Sequence, residues 1–268
     1  MAFSKPELDE LKRAKLLLEN PGLAAKLAAY VGSPVEKGMK LLPKVVQKGV
    51  HSATEKALMK ALDMAIRSLG GKRNDAGRTR TASNRIHRVA VAASGAVGGA
   101  FGIAALGIEL PLSTTIILRS IADIAASEGE DPRQIETRLA CLTVFALGSP
   151  RDARDNAAES GYFAARSALA TAVSEASKHL AQKGLAKGGS PALVRLVSLI
   201  AARFGIVVSE KTAAQLVPVI GAAGGAIINS LFIAHYQDMA RGHFIVRRLE
   251  KIHGAEPVRL AYERLEAR

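Results

Sequence analysis

Aromatic side chains are scarce in this 268-residue chain: Phe, Tyr and Trp make up 4% of it, and Trp is absent. Proteins that hold single-stranded nucleic acid stack its bases on aromatic platforms. With no zinc-finger or ribonucleoprotein-type motif to compensate, nucleic acid is disfavoured as a partner. Cysteine is reduced to one residue, Cys141, within the apolar stretch from Leu139 to Leu147. It can form no internal disulfide, and the expectation is a small packed hydrophobe rather than a reactive thiol. The six histidines form no His-x-x-x-His pair. The acidic group Asp123, Glu128, Glu130 and Asp131 has no interleaved histidine, so capping and solvation are expected there, and no metal site. There is no Gly-x-Ser-x-Gly elbow, no Gly-Lys-Ser/Thr after a glycine run, and no strand signal before one. Hydrolase, P-loop and dinucleotide chemistry are therefore unsupported, and no cofactor is expected. The first fifteen residues mix Glu7, Asp9 and Glu10 with Lys5, Lys12 and Arg13 instead of following a positive start with an apolar run. A cytoplasmic location is the expectation.

What the chain does carry is positive charge, unevenly placed. Residues 1–88 hold 18 Lys and Arg against 8 Asp and Glu, so most of the net +13 lies in the first third. Such asymmetry suggests an anionic partner. Helix punctuation recurs throughout. Ser4 with Glu7, Ser33 with Glu36, and Asp131 with Gln134 have the spacing of N-terminal caps. Pro34, Pro132, Pro150 and Pro191 follow Ser, Asp, Ser and Ser, which suits the first helical position. Breaks fall at Asn20-Pro21-Gly22, Gly70-Gly71, Gly148, Gly188-Gly189 and Gly254. The polar stretch from Gly70 to Ser83 reads as a linker, dividing a basic N-terminal helical region (1–83) from a helical domain (84–268). The expected fold is all-α, a multi-helix bundle with two central Gly/Ala-rich helices.

Those two stretches, Ala92 to Gly107 and Ala213 to Ile228, are the most unusual feature of the sequence. Each lies in an uncharged run, from Arg88 to Glu109 and from Lys211 to Asp238, long enough to cross a bilayer. The Ala/Gly content of the first, and Gln215, Pro218 and Asn229 in the second, weaken that reading. Gly95 with Gly99, Gly98 with Gly102, and Gly221 with Gly225 stand four apart, so each pair clears one helix face for close packing. A buried helix pair in a soluble bundle, a membrane-inserted hairpin and a shallow interfacial mode all satisfy this pattern.

The run Ala93-Ser94-Gly95-Ala96-Val97-Gly98-Gly99-Ala100-Phe101-Gly102, then Glu109-Leu110-Pro111, Leu118-Arg119-Ser120-Ile121-Ala122 and Glu128-Gly129-Glu130-Asp131, resembles the core of the EcsC family. The segment Val217 to Asn229, followed by Ala240 and Phe244, is similar to that family's C-terminal signature. The resemblance spans roughly residues 85–250, with Glu109 where the family pattern has Asp. It implies membrane association and supplies no reaction.

Three constellations remain. Lys37, Lys40, Lys44 and Lys48 stand at helical spacing beside Val35, Leu41, Leu42, Val45 and Val46, a basic amphipathic pattern that suits an anionic membrane surface and equally an ordinary surface helix. Glu109, closing an apolar run, is the carboxylate most exposed to desolvation; a functional acid, a marker of a surfacing helix end and an ion-pair partner of Arg119 all fit it, the last two better. His235 and Asp238, three apart, could form a general-base pair. The functional expectation is a peripheral, anionic-lipid-binding or membrane-protein-binding chain at the inner face of the cell membrane. The alternatives are an enzyme using Glu109, Arg119 and the His235/Asp238 pair in a small-molecule pocket between the Gly-rich helices, and a soluble scaffold; Asn229 is a further candidate functional polar residue.

Overall fold

The computed structural model describes residues 3–19, 22–31, 42, 44–68, 106–149, 161–183, 190–215 and 221–265. Among the described residues there are nine helices and no strand: α1 (Lys5–Glu19), α2 (Leu23–Val31), α3 (Lys44–Ser68), α4 (Leu106–Ser127), α5 (Ile135–Leu147), α6 (Gly161–Lys183), α7 (Pro191–Gln215), α8 (Gly221–His253) and α9 (Ala255–Arg264). The all-α reading is borne out.

Local signals set several helix ends. Glu7 Oε2 accepts the Ser4 backbone N–H at 2.8 Å and the Ser4 hydroxyl at 2.7 Å, which secures the start of α1. α7 begins at Pro191, and Ser190 Oγ accepts the Leu193 N–H at 3.3 Å, the cap its sequence predicts. Gly254, at φ +90°, ends α8 in a conformation that costs glycine little. Asp131 departs from expectation. Its Oδ1 accepts the Arg133 N–H at 2.9 Å to form a local turn, and α5 starts only at Ile135. The carboxylate finds a nearer donor two residues on, which replaces the cap.

The long helix α8 is the axis of the fold. Parallel to it runs α4, as three polar links at rising positions show: Asn229 to Glu109, Gln237 to Ser120, and Arg248 to Glu128. Nineteen residues separate the outer two links on each helix, about 28 Å at 1.5 Å per residue. Antiparallel to α8 lies α1, joined through Glu10 to Arg248 (3.1 Å) and Glu7 to His253 (2.8 Å). Lys15, buried on α1, donates to the carbonyls of Tyr262 (2.9 Å) and Leu265 (2.8 Å) and so satisfies the open end of α9. Phe145, Phe204, Phe232 and Tyr236 join α5, α7 and α8 in one aromatic cluster. Leu11, Leu27, Val50, Ala57 and Leu58 from the first three helices belong to the same hydrophobic core as α4–α9.

The contact of α1 with α8 depends on Gly242. A Cβ there would lie 2.5 Å from Leu18 Cγ and 3.0 Å from the Ala14 carbonyl oxygen. Leu18 could rotate, but the backbone oxygen recedes only if α1 moves. Gly242→Ala is expected to cost about 1–3 kcal/mol and to lower Tm by several degrees in a thermal melt. A melt superimposing on the wild type would show that α1 yields freely.

Candidate functional site

Glu109 and Lys211 form the most deeply buried ion pair among the described residues. Nζ of Lys211 donates to Glu109 Oε1 at 2.6 Å, and each side chain is less than a tenth exposed. The third turn of α8 adds Asn229, whose Nδ2 donates to the same oxygen at 3.1 Å. Lys211 also lies 4.9 Å from the centre of the Phe232 ring, a cation–π contact. The cluster therefore joins α4, α7 and α8. Burial pulls the Lys211 pKa below its usual value, although the Glu109 charge and hydrogen bond oppose that shift. A crevice too narrow to admit water borders the pair, lined also by Leu110, Val208, Thr212 and Gln215. Its walls stand too close for an organic ligand in this conformation.

Glu109 is buried in the first turn of α4 rather than marking a surfacing helix end, and its partner is not Arg119. Ten residues on, Arg119 lies about 15 Å further along α4 and is exposed. The actual partner is 102 positions away in the chain. His235 and Asp238 do not act as a pair either. His235 is buried, and its Nε2–H donates to the Gly148 carbonyl at 3.0 Å. Burial, with the charge of Lys26 adding to it, pushes this imidazole down to about 4, so it is neutral near pH 7. Asp238 instead meets Lys26 at 3.6 Å and Arg241 at 3.2 Å. Asn229 and His235 are six positions apart on α8, which turns them about 120° from one another. The Glu109 cluster and His235 thus face different neighbours, and no shared pocket assembles among the described residues.

Lys211 of α7 and Asn229 of α8 both reach Glu109 Oε1, so the second small-residue stretch is not one continuous helix. α7 ends at Gln215 and α8 begins at Gly221, with Pro218 in the intervening residues, outside the described set. Gly225 is buried in the first turns of α8, which Gly221 opens. Gly95, Gly98, Gly99 and Gly102 lie outside the described residues, as do Lys37 and Lys40. One described helix, Pro191–Gln215, is long and apolar enough to cross a bilayer; half of its apolar window is buried in the bundle, and it also buries Arg203, Glu210 and Lys211.

Lys44 and Lys48 open α3 and are exposed. Leu42, Val46 and Val50, on the apolar side of the same stretch, are buried in the core, so this side faces protein. Two lysines that sequence reasoning passed over, Lys56 and Lys60, are exposed further along the same helix. The acidic group after α4 is absorbed in ion pairs: Glu130 meets Arg247 at 3.0 Å and Lys251 at 2.9 Å, and Glu128 meets Arg248 at 3.1 Å. Among the described residues no group of three His, Cys, Asp or Glu side chains is placed to hold a metal. Cys141 is buried, and burial raises its thiol to about 12, so it is protonated at neutral pH.

Fold and centre together define a helical bundle built on a parallel helix pair and tied near one end by a buried Glu–Lys–Asn cluster. The chain belongs to the EcsC protein family, whose sequence model matches residues 5–249. That match takes in α1–α3 as well as the Gly-rich segments. Among curated proteins and among solved structures, nothing matches the chain.

Proposed function

We propose that this chain is a peripheral protein of an anionic membrane surface, held there chiefly by the outer face of α3. One observation supports the reading: Lys44, Lys48, Lys56 and Lys60 are all exposed along this helix, while Val46, Val50, Ala53, Ala57 and Leu58 on its other side are in the core. The exposed side also carries Asp63, and it has Glu55 half-buried within 3.7 Å of His51. No ion pair joins the four lysines to another described residue, so their charge is available to a partner. Each basic residue near an anionic leaflet contributes about 1 kcal/mol, and salt screens that attraction within a Debye length. Because the apolar side of α3 is occupied, this helix attracts without inserting. The inner face of the cell membrane fits a chain with this charge.

Flotation with phosphatidylglycerol-containing and with purely phosphatidylcholine vesicles tests the reading. Binding is expected only to the anionic vesicles and is expected to weaken steeply as salt rises. Changing all four lysines to Gln should lower the low-salt partition coefficient by up to about a thousandfold. Flotation unaffected by salt and by those substitutions would remove α3 from the interaction.

A further inference from the structure

The bundle has two unlike ends. At one, Glu128, Glu130, Asp131, Arg133, Arg247, Arg248, Glu250 and Lys251 are gathered by the close of α4 and the last turns of α8. At the other lie the starts of α4 and α8 and the close of α7, joined through Glu109, Asn229 and Lys211. From Leu106 to Leu118 the one charged residue is Glu109, and from Gly221 to Gln237 there is none apart from the neutral His235. Glu109 is turned inward and neutralised by Lys211. The outward side chains here are apolar: Ile108 is 80% exposed and Leu112, one turn on, 47%, while Ile227 on α8 is 41% exposed.

The basic helix reaches this same end. The Ile66 carbonyl accepts from Arg138 at 2.7 Å, and Arg138 in turn holds the Pro132 carbonyl, so the close of α3 sits beside the turn after α4. Packed along α4, α3 runs parallel to it, and its first residues, Lys44 and Lys48, lie toward the end where Ile108 and Leu112 are exposed. We propose that this charge-poor end enters the acyl-chain region of the bilayer, with Ile108 and Leu112 as the leading side chains and Lys44 and Lys48 meeting anionic headgroups at its rim. The inference rests on the peripheral-membrane reading above and narrows it: Lys44 and Lys48 meet the surface, whereas Lys56 and Lys60 stand about 18 and 24 Å beyond Lys44 along α3 and contribute only weakly through the salt-screened field. Apolar side chains in the acyl boundary flanked by basic ones are the arrangement by which helical segments seat at an interface. The inward Glu109–Lys211 pair leaves no outward formal charge at the start of α4 to oppose entry.

The absence of Trp makes a direct test available. Ile108→Trp and, separately, Leu112→Trp in the full chain each supply a single fluorophore; Val194→Trp, at the exposed start of α7 and the opposite end of the bundle, is the control. With phosphatidylglycerol vesicles brominated on their acyl chains, the 108 and 112 reporters are expected to lose more than half their emission while the 194 reporter keeps its own. Equal quenching at both ends would overturn the proposed orientation. Salt-sensitive flotation without quenching at 108 or 112 would overturn insertion and leave the electrostatic reading standing. Failure of the wild-type chain to float at any salt concentration would overturn both. A variant with Ile108→Ser and Leu112→Ser is expected to lose the salt-resistant part of binding, and unchanged salt-resistant binding would count against the proposal.

Discussion

Glu109→Ala is expected to destabilise the fold by about 3–5 kcal/mol, because it leaves the Lys211 ammonium in the interior with no counter-charge. The lysine has no path to water that avoids rearrangement, since its side chain is 4% exposed and packed over Phe232. Lys211→Met is expected to fall in the same range, with the buried carboxylate then held by Asn229 alone among the cluster's members. Glu109→Gln keeps an oxygen for Lys211 and Asn229 but removes the charge, so it should cost less than the alanine. Combining Glu109→Gln with Lys211→Met removes both charges and should recover much of the loss, because an apolar replacement for a buried pair is often neutral or stabilising. Urea titration at neutral pH, with m held constant, gives each value. In a double-mutant cycle the coupling should exceed about 2 kcal/mol; two small and additive single effects would show that the pair is solvated in solution. The cycle separates fold from function as well. If the cluster serves only to join α4, α7 and α8 and keep the α4 start uncharged, the doubly substituted chain should bind anionic vesicles like the wild type.

The contrast between Glu109 and its partner shows what local reading reaches. A carboxylate that ends a twenty-residue uncharged run is conspicuous in the sequence, because it is the first charge available to enter or leave an apolar interior. Its counter-ion is set by how α7 returns past α4, and spacing along one helix, which pointed to Arg119, carries no information about that crossing. Ser190-Pro191 and Gly254 fix helix ends through bonds and angles within a few residues, so they were legible. Asp131 looked like a cap for the same local reasons, but a competing donor, the Arg133 amide, lies closer. Lys44 and Lys48 were identified as a basic face, whereas the burial of Val46 and Val50 beneath them depends on the packing of α3 against α4 and α7. The exposure of Ile108 and Leu112 depends in turn on where neighbouring helices stop.

Glu130→Gln is expected to cost about 2–3 kcal/mol at pH 7, less than breaking the Glu109 pair. The Glu130 carboxylate is 2% exposed, yet Lys251 at 55% and Arg247 at 23% can turn partly to water when it is neutralised. Burial by itself would raise the Glu130 pKa. Hydrogen bonds from Lys251, Arg247 and Thr137, together with the Arg247 charge, outweigh burial and hold it below the ordinary 4.5. The unfolded chain therefore binds the proton at higher pH than the folded one does. By linkage, the stabilisation from Glu130 is fully present above the unfolded value and is lost as pH falls through the folded value. The stability difference between wild type and Glu130→Gln should accordingly be constant from pH 7 to about 6 and shrink as pH falls below about 4.5. Glu7, held at about 2 chiefly by its bonds from Ser4, contributes to the same acid limb in both chains and so cancels from the difference. Urea midpoints at pH 7, 5, 4 and 3 supply the curve. A difference independent of pH would mean that the loss comes from altered packing rather than charge, and that the turn after α4 is not secured to α8 by this ionised carboxylate.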